Sequence, residues 1–134
     1  MTMDKETLFQ KAVVLPREER KKLALRLMDS MMDGYMDEED RYSMLVSKAE
    51  VATGHELTAK RNAENTLIRR FVATRLRKEG FQFVKIGYLM NRDHSSVMAL
   101  VNGMQDILSL PNAYKEEISQ YNLFNKLVEE FDKG

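Results

Sequence analysis

Five consecutive residues, Arg92-Asp93-His94-Ser95-Ser96, bring together a permanent cation, a carboxylate, an imidazole and two hydroxyls. Arg92 offers a planar fork of donors that fits a phosphate or the edge of a guanine, and His94 can donate to a phosphate or to a base. Ser95 and Ser96 are small enough to reach either partner without a large desolvation cost. Asp93 is a residue type that accepts hydrogen bonds from the free amides at a helix start, so it is expected to cap a helix beginning just after it. A helix start bearing small hydroxyls and a flanking arginine suits an anionic partner.

Bond-making chemistry finds little support. Without cysteine there is no thiolate zinc site, disulfide or cysteine nucleophile, and the two histidines, His55 and His94, cannot alone build a closed metal site. No GxxxxGK[ST] phosphate loop, HExxH pair or GxSxG elbow occurs. The acidic runs Glu18-Glu19, Asp37-Glu38-Glu39-Asp40, Glu116-Glu117 and Glu129-Glu130 read as solvated faces and helix starts. The expectation is a protein that is not an enzyme and holds no cofactor or metal.

Formal net charge is zero, with 21 basic and 21 acidic side chains, but the two signs are segregated. Residues 1–58 carry 9 basic and 12 acidic groups (net −3), residues 59–100 carry 9 and 3 (net +6), and residues 101–134 carry 3 and 6 (net −3). A local field of that sign can draw phosphates to one face while the acidic flanks maintain solubility, but basic clusters of this size also occur on ordinary solvated helices without any ligand, so charge alone does not establish a nucleic-acid partner. No apolar run is long enough to cross a membrane, and Asp4, Lys5 and Glu6 argue against a signal peptide. A cytoplasmic protein with no membrane partner is expected.

The elements that must position the polar segment follow from apolar spacing. Leu23, Leu27, Met28, Met31 and Met32 predict an amphipathic helix over Arg17–Met32, and Tyr42, Leu45, Val46 and Ala49 predict a second from about Glu38 to Glu50. Leu57, Leu67, Ile68, Phe71, Val72 and Leu76 predict one long helix from about Glu56 to Glu79, closed by Gly80 and decorated by Lys60, Arg61, Arg69, Arg70, Arg77 and Lys78. Phe81 to Val84 reads equally as a helical turn or a short strand, but Ile86, Leu89 and Met90 favour a short helix over residues 82–90, with Asn91-Arg92 as its turn. Beyond Asp93, an inward stripe of Val97, Leu100, Val101, Met104 and Leu108 predicts a helix to about Ser109, with His94, Ser95, Met98, Asn102 and Gln105 outward. Pro111 is expected to start a last helix with Ile118, Tyr121, Phe124, Leu127, Val128 and Phe131 along its apolar side. The ten methionines are expected to serve mainly as core filler, with Met98 the exposed exception.

The resulting expectation is an all-α fold of one structural domain: a helical N-terminal extension (1–55), a central helix-turn-helix region (56–110) and a C-terminal helix (111–134). The short helix, tight turn and capped second helix over Phe83–Gln105 form a pair whose second helix is narrow enough to enter a DNA major groove about 12 Å wide.

Ile86-Gly87-Tyr88-Leu89-Met90-Asn91-Arg92-Asp93-His94-Ser95-Ser96-Val97 resembles the signature of the C-terminal domain of the bacterial chromosomal replication initiator DnaA, an Ile-Gly pair followed by Gly-Arg-Asp-His-[Ser/Thr]-[Ser/Thr]-Val. That family folds as a Trp-repressor-type helix-turn-helix and binds double-stranded DNA boxes near replication origins. The resemblance implies that Arg92, His94, Ser95 and Ser96 touch DNA, that Asp93 caps the recognition helix, and that Ile86 and Val97 pack beneath it. It also implies a minor-groove arginine near the start of the preceding helix, for which Arg69 is the nearest match and Arg70 the alternative. Lys60 and Arg61 fall where the family has a basic loop on the DNA backbone. The similarity covers roughly residues 60–108. Asn91 stands where the family has glycine and the turn is shorter than in many initiators, so site specificity does not transfer; Asn can still adopt the left-handed conformation. The family's nucleotide-binding module is absent. These features predict a duplex-DNA binder acting in transcription or replication. The alternative is a helical adaptor that keeps the scaffold and binds protein, or a second copy of itself, through the N-terminal helices, Met98 or the acidic C-terminal helix.

Overall fold

The computed structural model describes residues 36–134; the expected helix Arg17–Met32, with Met28 and Met31, lies outside the described residues. Residues 42–134 form one compact unit. Among the described residues the protein is all-α, with five helices and no strand.

Helix α1 spans Glu38–Thr53. The Asp37 carboxylate accepts from the Asp40 amide at 2.8 Å, and Glu38, Glu39 and Asp40 crowd the first turn, where negative charge opposes the helix dipole favourably. Gly54, at φ +74°, ends the helix where the spacing placed a break. Leu45, Ala49 and Ala52 enter the core.

Helix α2 spans Ala63–Lys78, not the longer stretch expected from Glu56. Asn62 caps it, its side chain accepting from the Asn65 amide at 2.9 Å, so the chain from Gly54 to Asn62 is non-helical. Leu57 matched the helical phase by coincidence: it packs against the core from this loop. Lys60 and Arg61 therefore sit on a loop rather than on the basic helix. At the far end, Gly80 takes φ +99° and the Phe81 amide bonds back to Leu76, closing the helix as its sequence position suggested.

Helix α3 spans Phe83–Met90, so Phe83 and Val84 are helical, while Gln82 is its extended cap residue and Phe81 lies before it. Asn91 ends it in the left-handed conformation, φ 56° and ψ 48°. Helix α4 spans His94–Ser109. Its enclosed residues are Val97, Val101, Met104 and Ile107; Leu100 is half-buried, and Leu108, expected inward, is 41 % exposed. A 3.6-residue period from Val97 falls between positions 107 and 108, and it is Ile107 that the fold encloses. The chain then turns at Leu110, with the Ala113 and Tyr114 amides bonded to the Leu110 carbonyl, so Pro111 lies in a turn rather than at a helix start. Helix α5 spans Lys115–Lys133; Tyr121, Phe124 and Val128 are buried, while Phe131, placed on the same stripe, is 42 % exposed.

The core is centred on α2, which packs on α3, α4 and α5. Phe71 stands 5.2 Å from the Tyr121 ring and 5.6 Å from that of Phe124. Enclosing a ring such as Phe71 stabilises by about 1.5–3 kcal/mol, and the ring contacts add to this. Arg75 ties the same two helices at their edge: it pairs with Glu79 at 2.8 Å and donates to Asn125 at 3.2 Å, with Asp132 at 3.9 Å. No helix among the described residues is long and apolar enough to cross a membrane.

Candidate functional site

The polar segment singled out above occupies the junction between α3 and α4. The Arg92 amide donates to the Gly87 carbonyl at 2.8 Å, closing a turn in which a Cβ on Gly87 would collide with the Arg92 carbonyl oxygen. Glycine is thus the residue that lets α3 and the turn touch. Asn91 supplies the left-handed step, and Asp93 starts the next helix, its carboxylate accepting from the Ser96 amide at 2.7 Å. The Ser96 amide and hydroxyl, followed by the neighbouring His94, hold the Asp93 carboxyl below the usual carboxylate range. Ile86 and Val97 are fully buried on either side of the turn.

The consequence is a clear sorting of side chains. His94, Ser95 and Ser96 are exposed on the first turn of α4, and Arg92 is half-buried at its base. Met98 is exposed as the spacing suggested, and Met104 is core.

Arg92 and Arg69 line one open depression of about 510 Å³, together with Tyr42, Leu57, Thr58, Ala59, Met90 and Asn91. The Arg69 guanidinium donates to the Thr58 carbonyl at 2.8 Å, which fixes its direction across the α2 surface. Burial lowers the proton affinity of Arg69 from its ordinary value; the nearby Arg92 acts in the same direction and Arg61 adds to it, while Tyr42 opposes them. Arg61 and Arg92 thus both act electrostatically on Arg69.

Arg70 is placed differently. Its guanidinium lies against Gly103 of α4, close enough that a Cβ there would come within 2.8 Å of Nε, and that Nε is buried without a hydrogen-bond partner. Lys60 and Arg61 are exposed on the loop before α2. The structure thus brings Arg69 and Arg92 into one depression and leaves Arg70 packed over the middle of α4.

Three residues of this region were missed by spacing alone. Tyr42 fitted the apolar side of α1 but lines the depression, and Thr58 fitted a helix interior but supplies the carbonyl that holds Arg69. Asn65 is only 2 % exposed. A polar residue three positions before Ile68, on the buried side of α2, was the available signal. Compared with known proteins, the chain matches no family model, no curated protein and no solved structure.

Proposed function

We propose that the protein binds double-stranded DNA, with the first turn of α4 directed into the major groove and the arginines beside it on the phosphates. The observation that carries this reading is the shared depression of Arg69 and Arg92 next to the exposed His94, Ser95 and Ser96. On this reading α3, the turn and α4 act as a Trp-repressor-type helix-turn-helix similar to that of the DnaA C-terminal domain, and the protein regulates transcription or replication. The loop residues Lys60 and Arg61 add backbone contacts, and Asp93 serves the fold of α4 as its cap.

Fluorescence anisotropy of labelled mixed-sequence duplexes across a salt series tests this. Six to ten neutralised phosphates make affinity fall roughly 10³- to 10⁵-fold between 50 and 200 mM salt, and fewer contacts give a gentler slope. Folded protein that shows no salt-dependent binding at about 50 mM salt overturns the proposal. That result would favour the second reading, a helical adaptor, which draws support from the exposed Met98 on α4 and from Leu123 and Phe131 on α5.

A further inference from the structure

The non-helical run between α1 and α2 carries Lys60 and Arg61 and contributes Thr58 to the depression, yet it contains no regular secondary structure. The Glu50 carboxylate accepts from the Leu57 amide at 2.8 Å near its start, and one side chain holds the stretch from Thr58 to Lys60. Asn65, on the first full turn of α2, donates from Nδ2 to the Thr58 hydroxyl at 2.7 Å and to the Lys60 carbonyl at 2.8 Å. Its Oδ1 accepts from the Thr58 amide at 3.1 Å. Both ends of the amide are thus satisfied by the loop, a geometry that no apolar residue, and no carboxylate lacking donors, can reproduce. Asn65 is almost fully enclosed, so it cannot itself touch a macromolecular ligand.

The same Thr58 that Asn65 grips at its amide and hydroxyl offers its carbonyl to Arg69. A continuous hydrogen-bonded path therefore runs from Asn65 through Thr58 to the guanidinium facing Arg92, and a branch runs through Lys60 to the exposed basic pair. We propose that Asn65 is a positioning residue for DNA binding: it sets the loop that aims Arg69 and presents Lys60 and Arg61 to the phosphates. The inference rests on the DNA-binding reading above and assigns to it a residue that makes no contact with DNA. Without Asn65 the loop has no buried partner for Thr58, and Arg69 loses the fixed carbonyl that holds it in place before the ligand arrives.

The experiment compares wild type with Asn65→Ala, Asn65→Asp, Thr58→Val, Arg69→Ala and the double variant Asn65→Ala/Arg69→Ala. Duplex affinity is measured over a salt series, at a temperature where circular dichroism shows every variant folded. Amide exchange at Thr58 reports the loop in the free protein. Asn65→Ala is expected to speed exchange at Thr58, to weaken binding about tenfold and to flatten the salt slope by about 0.9 or more, the loss of at least one phosphate contact. Asn65→Asp, which keeps the acceptor but loses both donors, should follow it. The exposed Thr58→Val, which removes only the hydroxyl, should show a smaller loss of the same kind even if Asn65→Ala does not fold. In the Arg69→Ala background the part of the Asn65→Ala effect that runs through Arg69 should disappear, leaving the part that runs through Lys60 and Arg61. A full and undiminished loss in that background overturns the aiming of Arg69, and wild-type affinity in folded Asn65→Ala or Thr58→Val overturns the positioning role altogether while leaving DNA binding intact. Failure of wild type to bind any duplex overturns the DNA-binding reading, and this inference with it.

Discussion

The carbonyl of Gly87 and the amide of Arg92 meet at 2.8 Å, and the Arg92 carbonyl returns over the Gly87 Cα so closely that no side chain fits there. Gly87→Ala brings two opposing effects. Alanine gains about 1 kcal/mol of helix propensity over glycine, but its Cβ meets rigid backbone, and overpacking of that kind costs about 1–3 kcal/mol. The clash should win, with a lower denaturant midpoint and a displaced α4. A variant at least as stable as wild type would show that the turn has room to open.

Asn91 sits in the left-handed region, where a Cβ without a compensating side-chain bond is unfavourable by about 1–2 kcal/mol. Asn91→Gly should therefore leave stability unchanged or slightly raised, and Asn91→Ala should lower it by about 1 kcal/mol. Paired urea melts of the two variants give the comparison directly, and a reversed order would count against the turn geometry.

Arg92→Ala and His94→Ala remove side chains outside the packed stripe of α4. Each is expected to weaken duplex binding while changing stability by less than about 0.5 kcal/mol. Anisotropy titrations beside thermal melts separate the two quantities. Unchanged affinity in either variant removes that residue from the proposed contact surface.

The register of α4 is open to a two-residue test. Ile107 is 4 % exposed and its neighbour Leu108 is 41 % exposed. Ile107→Ala should destabilise by about 2–5 kcal/mol, whereas Leu108→Ala should cost less than about 1 kcal/mol. Equal losses would mean that both faces are covered in solution.

The Asp93 cap gives a pH dependence of known sign. Its carboxyl is held below its unfolded value, near 3.9, by the Ser96 amide and hydroxyl and by His94. The stabilising contribution is therefore complete above the unfolded value and is lost as pH falls through the lower, folded value. Asp93→Asn keeps an acceptor for the Ser96 amide but not the charge, so it should remove this acid sensitivity with little change at neutral pH. Melting curves from pH 2 to 7 for wild type and Asp93→Asn provide the check, and parallel pH profiles would rule out the cap as the cause.

Much of the fold was legible because glycine and apolar spacing agreed. Gly54 and Gly80 both take positive φ where breaks were expected, and Val97, Val101 and Met104 fall inward on α4. The start of α2 was not legible, because Leu57 continues the phase of Leu67 and Ile68 although the helix begins only after Asn62. What stops the helix is a set of side-chain to backbone bonds from Asn62 and Asn65, and periodicity carries no information about those. Similarly, Arg69 and Arg70 are indistinguishable in charge and adjacent in sequence; one turns toward Thr58 and Arg92, the other toward Gly103, because successive helical residues point about 100° apart. Exposure of His94 and Ser95 followed directly from their phase on α4. The participation of Tyr42 depended on tertiary packing of α1, which local pattern does not encode.

Phe71 draws two of its ring neighbours, Tyr121 and Phe124, from the last helix of the chain. Residues 60–108 are therefore not a detachable module. Cutting after Leu110 would strip an aromatic wall from the helix that bears Arg69, so a minimal version of this protein has to retain its acidic tail even if that tail never meets a ligand.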